Sequence, residues 1–376
     1  MPQETDKKIS HYILKATELK SLLDILFQRE YHVIAPSIRD KSIEYDPIAS
    51  FDEITRGWID HQKPGSYRLA NDEQDRFFGY VVGFSSWKKY LYPADKKLFE
   101  AEMDTKNFRV IEDGTAAPKY AFLGVRSCDL KAIEILDKIL TEGPYVDLDY
   151  KRARDNALII VVNCTRAGEN CFCYSMGTGP RAYSGFDLAL TEISDGEKHY
   201  FLVDTGSRSG EELISELGLS SASEDEIKTA EKAIEQTIAN MSKILNTDGL
   251  KEKIWANLDS LYWDEIAERC LNCGNCTLVC PTCFCADIED TTDIAGEKAN
   301  RTRKWDVCYT LNFTYVHGGS IRTSCKSRYR QWLTHKLSTW IDQFGMFGCV
   351  GCGRCITWCP VGIDIAEEAK QLIESS

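Results

Sequence analysis

Apolar residues recur at helical spacing in "TELKSLLDILFQ" (17–28), where Leu19, Leu22, Leu23, Ile25 and Leu26 share a face and Thr17 stands where an N-cap belongs. "YHVIAPSI", which follows, predicts a strand. Between residues 44 and 120 the pattern breaks up at Pro and Gly, and pieces such as "DRFFGYVVGF" predict only short strands and loops. It then sharpens. "YAFLGV" (120–125) predicts a buried strand, and "CDLKAIEILDKIL" predicts an amphipathic helix with Asp129 near its positive end. "NALIIVVNC" (156–164) is the continuous apolar run of a strand covered on both faces. Strand, helix and strand in that order predict a βαβ unit, and "HYFLVDTG" (199–206) adds one further strand.

From Ser209 to about Ala267 the period is helical, in "SGEELISEL", "SEDEIKTAEKAIEQTIANMSKIL" and "LKEKIWANLDSLYWDEIA". Ser223 with Asp225 and Glu226 marks a helix start. These helices read as scaffold and linker, with a boundary in "NTDGLK" (246–251). Beyond it the chain repeats itself: "CLNCGNCTLVCP" begins at Cys270 and "CVGCGRCITWCP" at Cys349, separated by the 68 residues 281–348. Within that insert, 325–344 reads as a helix with Trp332, Leu333, Leu337, Trp340 and Ile341 on one apolar face. The expected class is therefore α+β/α/β: a mixed α/β N-terminal domain (1–245, with a helical linker), followed by a helical, dicluster ferredoxin-like C-terminal domain (251–376).

Composition narrows the chemistry. With 376 residues, 43% hydrophobic and 27% charged, the chain is long enough for two globular domains. "MPQETDKKISHYILK" has no apolar leader and no run approaches a membrane span, which predicts a cytoplasmic protein with no membrane span. Sixteen cysteines in a reducing compartment are thiols or ligands, not a disulfide framework. A net charge of −13 argues against nucleic acid as the main partner. One segment runs the other way: residues 301–340 hold eight Lys or Arg against one acid, Asp306.

CxxCxxCxxxCP is the spacing that binds [4Fe–4S] cubes, and where two runs are present the fourth cysteine of each ligates the other run's cluster. A tight loop offers three thiolates to three irons, while the fourth cysteine, placed on the outgoing helix before proline, points toward the second cube. Cys270, Cys273, Cys276 and Cys359 are accordingly assigned to one cluster, and Cys349, Cys352, Cys355 and Cys280 to the other. Gly274, Gly351 and Gly353 suit a backbone that turns sharply and aims amides at sulfur. Structural zinc also uses CxxC pairs, but two complete four-cysteine runs would leave ligands over. Two cubes that exchange ligands make a conduit for electrons.

Eight cysteines remain. Cys128 and Cys164 end two strands predicted to lie side by side, and Cys171 and Cys173 follow in "ENCFCYSMGTGP", so these four could converge at one sheet edge on a third [4Fe–4S] cluster. Burial as small hydrophobes is the alternative. Cys283 and Cys285 either ligate a metal or line the cluster pocket, and Cys308 and Cys325 read as core or cluster-shell residues, either of which could complete a site with Cys283 and Cys285. The basic insert offers cations that would raise a cluster's potential or dock an acidic partner, and a solvated helix face is the plainer use of each residue. His317 and His335 read as satisfied histidines. No GxGxxG, phosphate-loop lysine, nucleophile elbow or HExxH motif is present, and "GTGPRAYSG" (177–185) has the wrong spacing for nucleotide. No catalytic residue is assigned.

The sequence resembles the β subunit of cytoplasmic sulfhydrogenases, the soluble NAD(P)-linked [NiFe] hydrogenases, and its relative the A subunit of anaerobic sulfite reductase. The resemblance is carried by "GVRSCDLKAIEILD", "NCTRAGENCFCYSMGTGP", "CLNCGNCTLVCPTCFC", "RKWDVC", "RYRQWLTHK" and "FGCVGCGRCITWCPVGID". It implies a non-catalytic electron-transfer subunit with two [4Fe–4S] clusters, taking electrons to or from a FAD/NAD(P)-binding flavoprotein subunit. The other partners implied are hydrogenase small and large subunits, or a sirohaem sulfite reductase subunit. Ser127 departs from the pattern, where proline is expected before Cys128, and the first sixty residues match no quotable block. The competing expectation is an enzyme that reduces sulfur, polysulfide or a disulfide itself, using Cys283, Cys285 or Cys308.

Overall fold

The computed structural model describes residues 10–103, 107–112 and 117–374. Four parallel strands form the middle of its main sheet, in the order Leu188–Ser194, Leu158–Asn163, Tyr120–Val125 and His32–Arg39. Antiparallel strands close both sides: Ser42–Pro47 beyond the His32 strand, and His199–Thr205, His11–Lys15 and the short Ser220–Ser221 beyond the Leu188 strand. All six residues of Leu158–Asn163 are buried, as a strand covered on both faces requires. The predicted βαβ unit is present. The Tyr120 strand runs into the helix Ser127–Thr141, and the chain returns through the helix Leu148–Asp155 to the Leu158 strand, parallel and adjacent.

The Ser127–Thr141 helix has two working faces. Leu130, Ile133 and Leu136 pack on the sheet core, while Ala132 and Ile135 join a small cluster with Trp340 and Val350 of the cysteine-rich region. Asp129, in the first turn, receives Arg354 in a forked ion pair, at 2.6 Å and 2.9 Å, with both side chains almost fully buried. The phenol of Tyr45 also donates to Asp129 at 3.2 Å. This pair ties the helix of the sheet domain to the second cysteine run.

The C-terminal region is helical, with Leu250–Ala256, Tyr262–Arg269, Cys325–Thr334 and Ile365–Glu374. A second core lies here, built from Leu250, Ile254, Trp263, Ile266, Trp332, Leu333, Leu337 and Leu372 among others. The segment read as one helix over 325–344 is continuous but carries a wider π turn at His335–Thr339 before Trp340–Phe344, and Trp332, Leu333, Leu337 and Trp340 are buried as the apolar face predicted.

Three details differ from the periodic pattern. Thr17 lies inside a 3-10 turn, Ala16–Glu18, where the Glu18 carboxylate accepts from the Lys15 amide at 3.1 Å, so Thr17 caps nothing. The helix begun by Ser223, which makes the full capping box with Glu226, stops at Ala239 and not at Leu245. The insert between the two runs also holds a hairpin, Ala286–Thr292 with Lys298–Trp305, whose second strand pairs with Asp95–Met103, which in turn pairs with Phe108–Glu112. Its polar strands, the first of them exposed, gave no apolar period to read. Among the described residues no helix is long and apolar enough to cross a membrane.

Removing one partner of a buried, forked ion pair leaves an uncompensated charge, which costs about 3–5 kcal/mol. Asp129→Ala is expected to lower anaerobic chemical-denaturation stability by that amount. Arg208→Ala, at a side chain 90% exposed, is expected to stay within about 0.5 kcal/mol of wild type.

Candidate iron–sulfur centres

The two cysteine runs fold alike. In each, the residue two after the first cysteine has a left-handed backbone, Asn272 at φ 57° and Gly351 at φ 63°, and so does the glycine two further on, Gly274 at 71° and Gly353 at 76°. These turns bring the Asn272 amide to 3.4 Å from Cys270 Sγ and the Gly351 amide to 3.4 Å from Cys349 Sγ. Ile363 donates to Cys359 Sγ at 3.3 Å. Amides aimed at sulfur stabilise a thiolate carrying iron and help set its potential. One short helix follows in each run, Asn275–Leu278 and Arg354–Thr357, carrying the third cysteine. The fourth cysteine lies just past that helix and not on an outgoing one, because the proline after it cannot donate into a helical turn.

Cysteines of the two runs lie among one another. Cys270, Cys273, Cys276 and Cys359 line one cavity together with Cys355, walled by Tyr309, Tyr329 and Trp332. Cys280, from the first run, sits within electrostatic reach of Cys349, Cys352 and Cys355 of the second. Cys355 also feels Cys276, so it stands between the two sets. Burial holds Cys270 and Cys349 up at about 12, and Cys276 and Cys355 are raised by burial as well. They are therefore thiols at neutral pH until a metal takes their protons. Cys280 goes the other way: the Cys283 thiol donates to it and, with Lys336 and Thr282, draws it well below the usual thiol range.

The donor set fits iron–sulfur cubes. Among the described residues no three His, Cys, Asp or Glu side chains converge closely enough to share one metal ion. Zinc, bound at about 2.3 Å to each sulfur, needs its ligands within roughly 4 Å of each other. A cube gives each thiolate its own iron.

Cys128, Cys164, Cys171 and Cys173 also come together. Cys128 and Cys164 follow the C-terminal ends of the paired Tyr120 and Leu158 strands. Cys173 lies in electrostatic reach of Cys171, Cys164 and Cys352, and Cys128 in reach of Cys173 and Cys352. Burial pushes Cys171 up to about 12 and raises the other three. Arg126, whose guanidinium also holds the Phe78 and Tyr80 carbonyls, is 4.0 Å from Cys164 Sγ. The loop carrying Cys171 and Cys173 is laced to the second run. Phe172 N donates to Gly351 O at 2.8 Å, Thr178 Oγ1 to Val350 O at 2.6 Å, and Asn170 Nδ2 to Thr357 Oγ1 at 2.9 Å. Ser127, the departure before Cys128, donates its hydroxyl to Thr178 O and Arg181 O and so anchors the same loop.

The remaining cysteines divide. Cys325 Sγ donates to Cys270 O at 3.6 Å, beside the first set. Asp306 N donates to Cys285 O at 3.0 Å, so the hairpin mouth places Cys285 near Cys308, and both lie within reach of Lys336. His335 stacks on Trp340 and shares a hydrogen bond with Gln343, a satisfied histidine. Two residues at the centres had no signal in the sequence: Lys88, in a stretch without period, and Thr282, a small polar residue in a cysteine-rich turn.

Residues 269–363 match the 4Fe-4S dicluster domain family. Over 311 residues the chain is 36% identical to the β subunit of sulfhydrogenase 2 from Pyrococcus furiosus, an alignment that covers 82% of this chain and 89% of that one. No solved structure matches.

A side chain at Gly351 would meet Cys173 N, Phe172 C and Phe172 O, each at 2.7 Å, at a φ of 63°. Gly351→Ala is expected to lose about four iron atoms per chain, one cube or more, after anaerobic reconstitution. Gly177→Ala, at a similar φ of 67° but with nothing within 4 Å, is expected to keep its iron.

Proposed function

Because the chain belongs to the family of sulfhydrogenase β subunits, whose members are iron–sulfur electron-transfer subunits, we propose that it relays electrons between a FAD/NAD(P)-binding flavoprotein subunit and a catalytic subunit. That catalytic subunit is a hydrogenase, with its small subunit, or a sirohaem sulfite reductase. In this reading one [4Fe–4S] cluster is held by Cys270, Cys273, Cys276 and Cys359, and a second by Cys349, Cys352, Cys355 and Cys280. Cys128, Cys164, Cys171 and Cys173 hold a third. The chain divides at 246–251, with 1–245 presenting the third centre and 251–376 the other two.

The observation that carries the reading is the continuity of sulfur through the molecule. Cys355 adjoins both C-terminal sets, and Cys352 adjoins the strand-edge set. Each cluster would supply a one-electron carrier. The chain's own residues hold the ligands in line, exclude water behind Tyr309, Tyr329 and Trp332, and aim amides at sulfur. At the far end Cys273 is the exposed thiol among the sixteen, which suits an edge that meets a partner.

Cys359→Ala is expected to abolish the EPR signal of the cluster held by the 270–276 run and leave the 349–355 cluster reducible. Loss of the second signal with the first intact overturns the crossover. Iron and acid-labile sulfide should reach roughly twelve atoms per chain for three clusters, against eight for two. The isolated chain should consume no polysulfide but accept electrons from its flavoprotein partner.

A further inference from the structure

Two lysines are sealed into the turn that links the first cysteine run to the hairpin after it. Lys88, 4% exposed, comes from the short helix Lys88–Leu91 of the sheet domain. Its ammonium donates to Cys280 O at 3.0 Å and Cys283 O at 2.9 Å, and lies 3.9 Å from the centre of the Trp305 ring. Lys336, 2% exposed, comes from the π turn on the opposite side. It donates to Thr282 Oγ1 at 2.7 Å and lies 4.2 Å from the Trp340 ring. Thr282 Oγ1 in turn donates to Gly348 O and stands 3.2 Å from Cys280 Sγ.

Neither ammonium forms an ion pair with a carboxylate among the described residues; the sulfurs acting most on Lys88 are those of Cys283, Cys280 and Cys285, and on Lys336 those of Cys280, Cys283 and Cys349. An ammonium carries three N–H groups; Lys88 Nζ meets two carbonyls and a ring face, and Lys336 Nζ one hydroxyl and a ring face. Several other cations nearby are paired. Arg354 is neutralised by Asp129, Arg269 by Glu368, and Lys243 by Asp364. Five of the eight basic residues in 301–340 pair with acids: Arg301, Arg303, Lys304, Lys326 and Arg330. Arg328, on the side of Cys270, gives its guanidinium to the carbonyls of Tyr309 and Thr323. No cation figures among the groups acting most strongly on Cys270 or Cys276.

Burying two unpaired ammoniums costs several kcal/mol each unless an anion sits beside them. A cube with four thiolates is an anion in both redox states and more negative once reduced, so fixed positive charge favours the electron on it. We propose that Lys88 and Lys336 are potential-setting residues, which make the cluster of Cys349, Cys352, Cys355 and Cys280 the higher-potential of the two C-terminal centres and the place where an electron rests between the exposed cluster and the strand-edge set. The proposal rests on the ligand sets given under Proposed function.

The test is an EPR-monitored redox titration of the full-length chain, reconstituted anaerobically. Wild type should show two C-terminal clusters titrating apart. In Lys336→Met the ratio of reduced to oxidised cluster at a fixed potential should fall at least tenfold for the higher-potential signal, about 59 mV for a one-electron couple, with the lower one unmoved. Lys336→Arg should restore it. The same shift should persist in a Cys359→Ala background, where only the inner C-terminal signal is left. Should Lys336→Met fail to fold, Lys88→Met is read in the same way. An unmoved signal, equal movement of both, or movement of the signal that Cys359→Ala removes overturns the proposal. The ligand sets are checked separately by Cys359→Ala with both lysines intact: loss of the inner signal there defeats the sets themselves, and the lysine assignment with them.

Discussion

The buried pair of Arg354 and Asp129 is the contact on which the relation of the two halves depends. Arg354 opens the helical turn of the second cysteine run, and Asp129 lies in the first turn of the helix leaving the Tyr120 strand. With both ends of the fork hydrogen-bonded at 2.6 Å and 2.9 Å, neither charge can be moved without exposing the other to an apolar interior. The pair therefore fixes how far Cys352 and Cys355, on either side of Arg354, stand from Cys128, beside Asp129. Packing completes the seam: Ala132 and Ile135 from that helix meet Trp340 and Val350. On the other side, the turn at Gly65 approaches so closely that a side chain there would lie 2.9 Å from Cys359 O.

A second constraint comes from the thiols themselves. Burial keeps most of them protonated in the absence of metal, so the centres hold together only when iron takes the protons and the surroundings accept the charge that results. The chain meets that demand in different ways at different centres. Around Cys270 and Cys349 backbone amides do it, aimed by left-handed turns. Around Cys280 two lysines do it from opposite domains. Beside Cys164, in the proposed third centre, Arg126 would do it. A path built from similar cubes can thus be graded in potential without changing the ligands.

The repeat puts Asn272 and Gly351 at the same position of the two runs. Both adopt a positive φ, which asparagine tolerates and glycine takes freely. At Gly351 the second reason is space, since the Phe172–Cys173 backbone lies against it. At Asn272 that crowding is absent and a side chain fits, in line with the more exposed position of the first run.

Much of this was legible in the residues alone. The βαβ unit showed in two apolar strands around an amphipathic helix, the 4Fe-4S dicluster domain in the twelve-residue spacing, and the gathering of Cys128 and Cys164 at one sheet edge in their places after adjacent strands. These depend on local period and on contacts of short range, which a sequence carries directly. What it did not carry was the polar hairpin 286–305 crossing back to the Asp95 strand, because exposed antiparallel strands have no apolar face to announce them. Nor did it carry which of the basic residues are spent on acids and which are left facing sulfur. Lys88 and Lys336 are 248 positions apart and differ in nothing local from solvated lysines. Only the folded chain decides that both end beside Cys280, because charge compensation is settled by distance in space and not by order along the backbone.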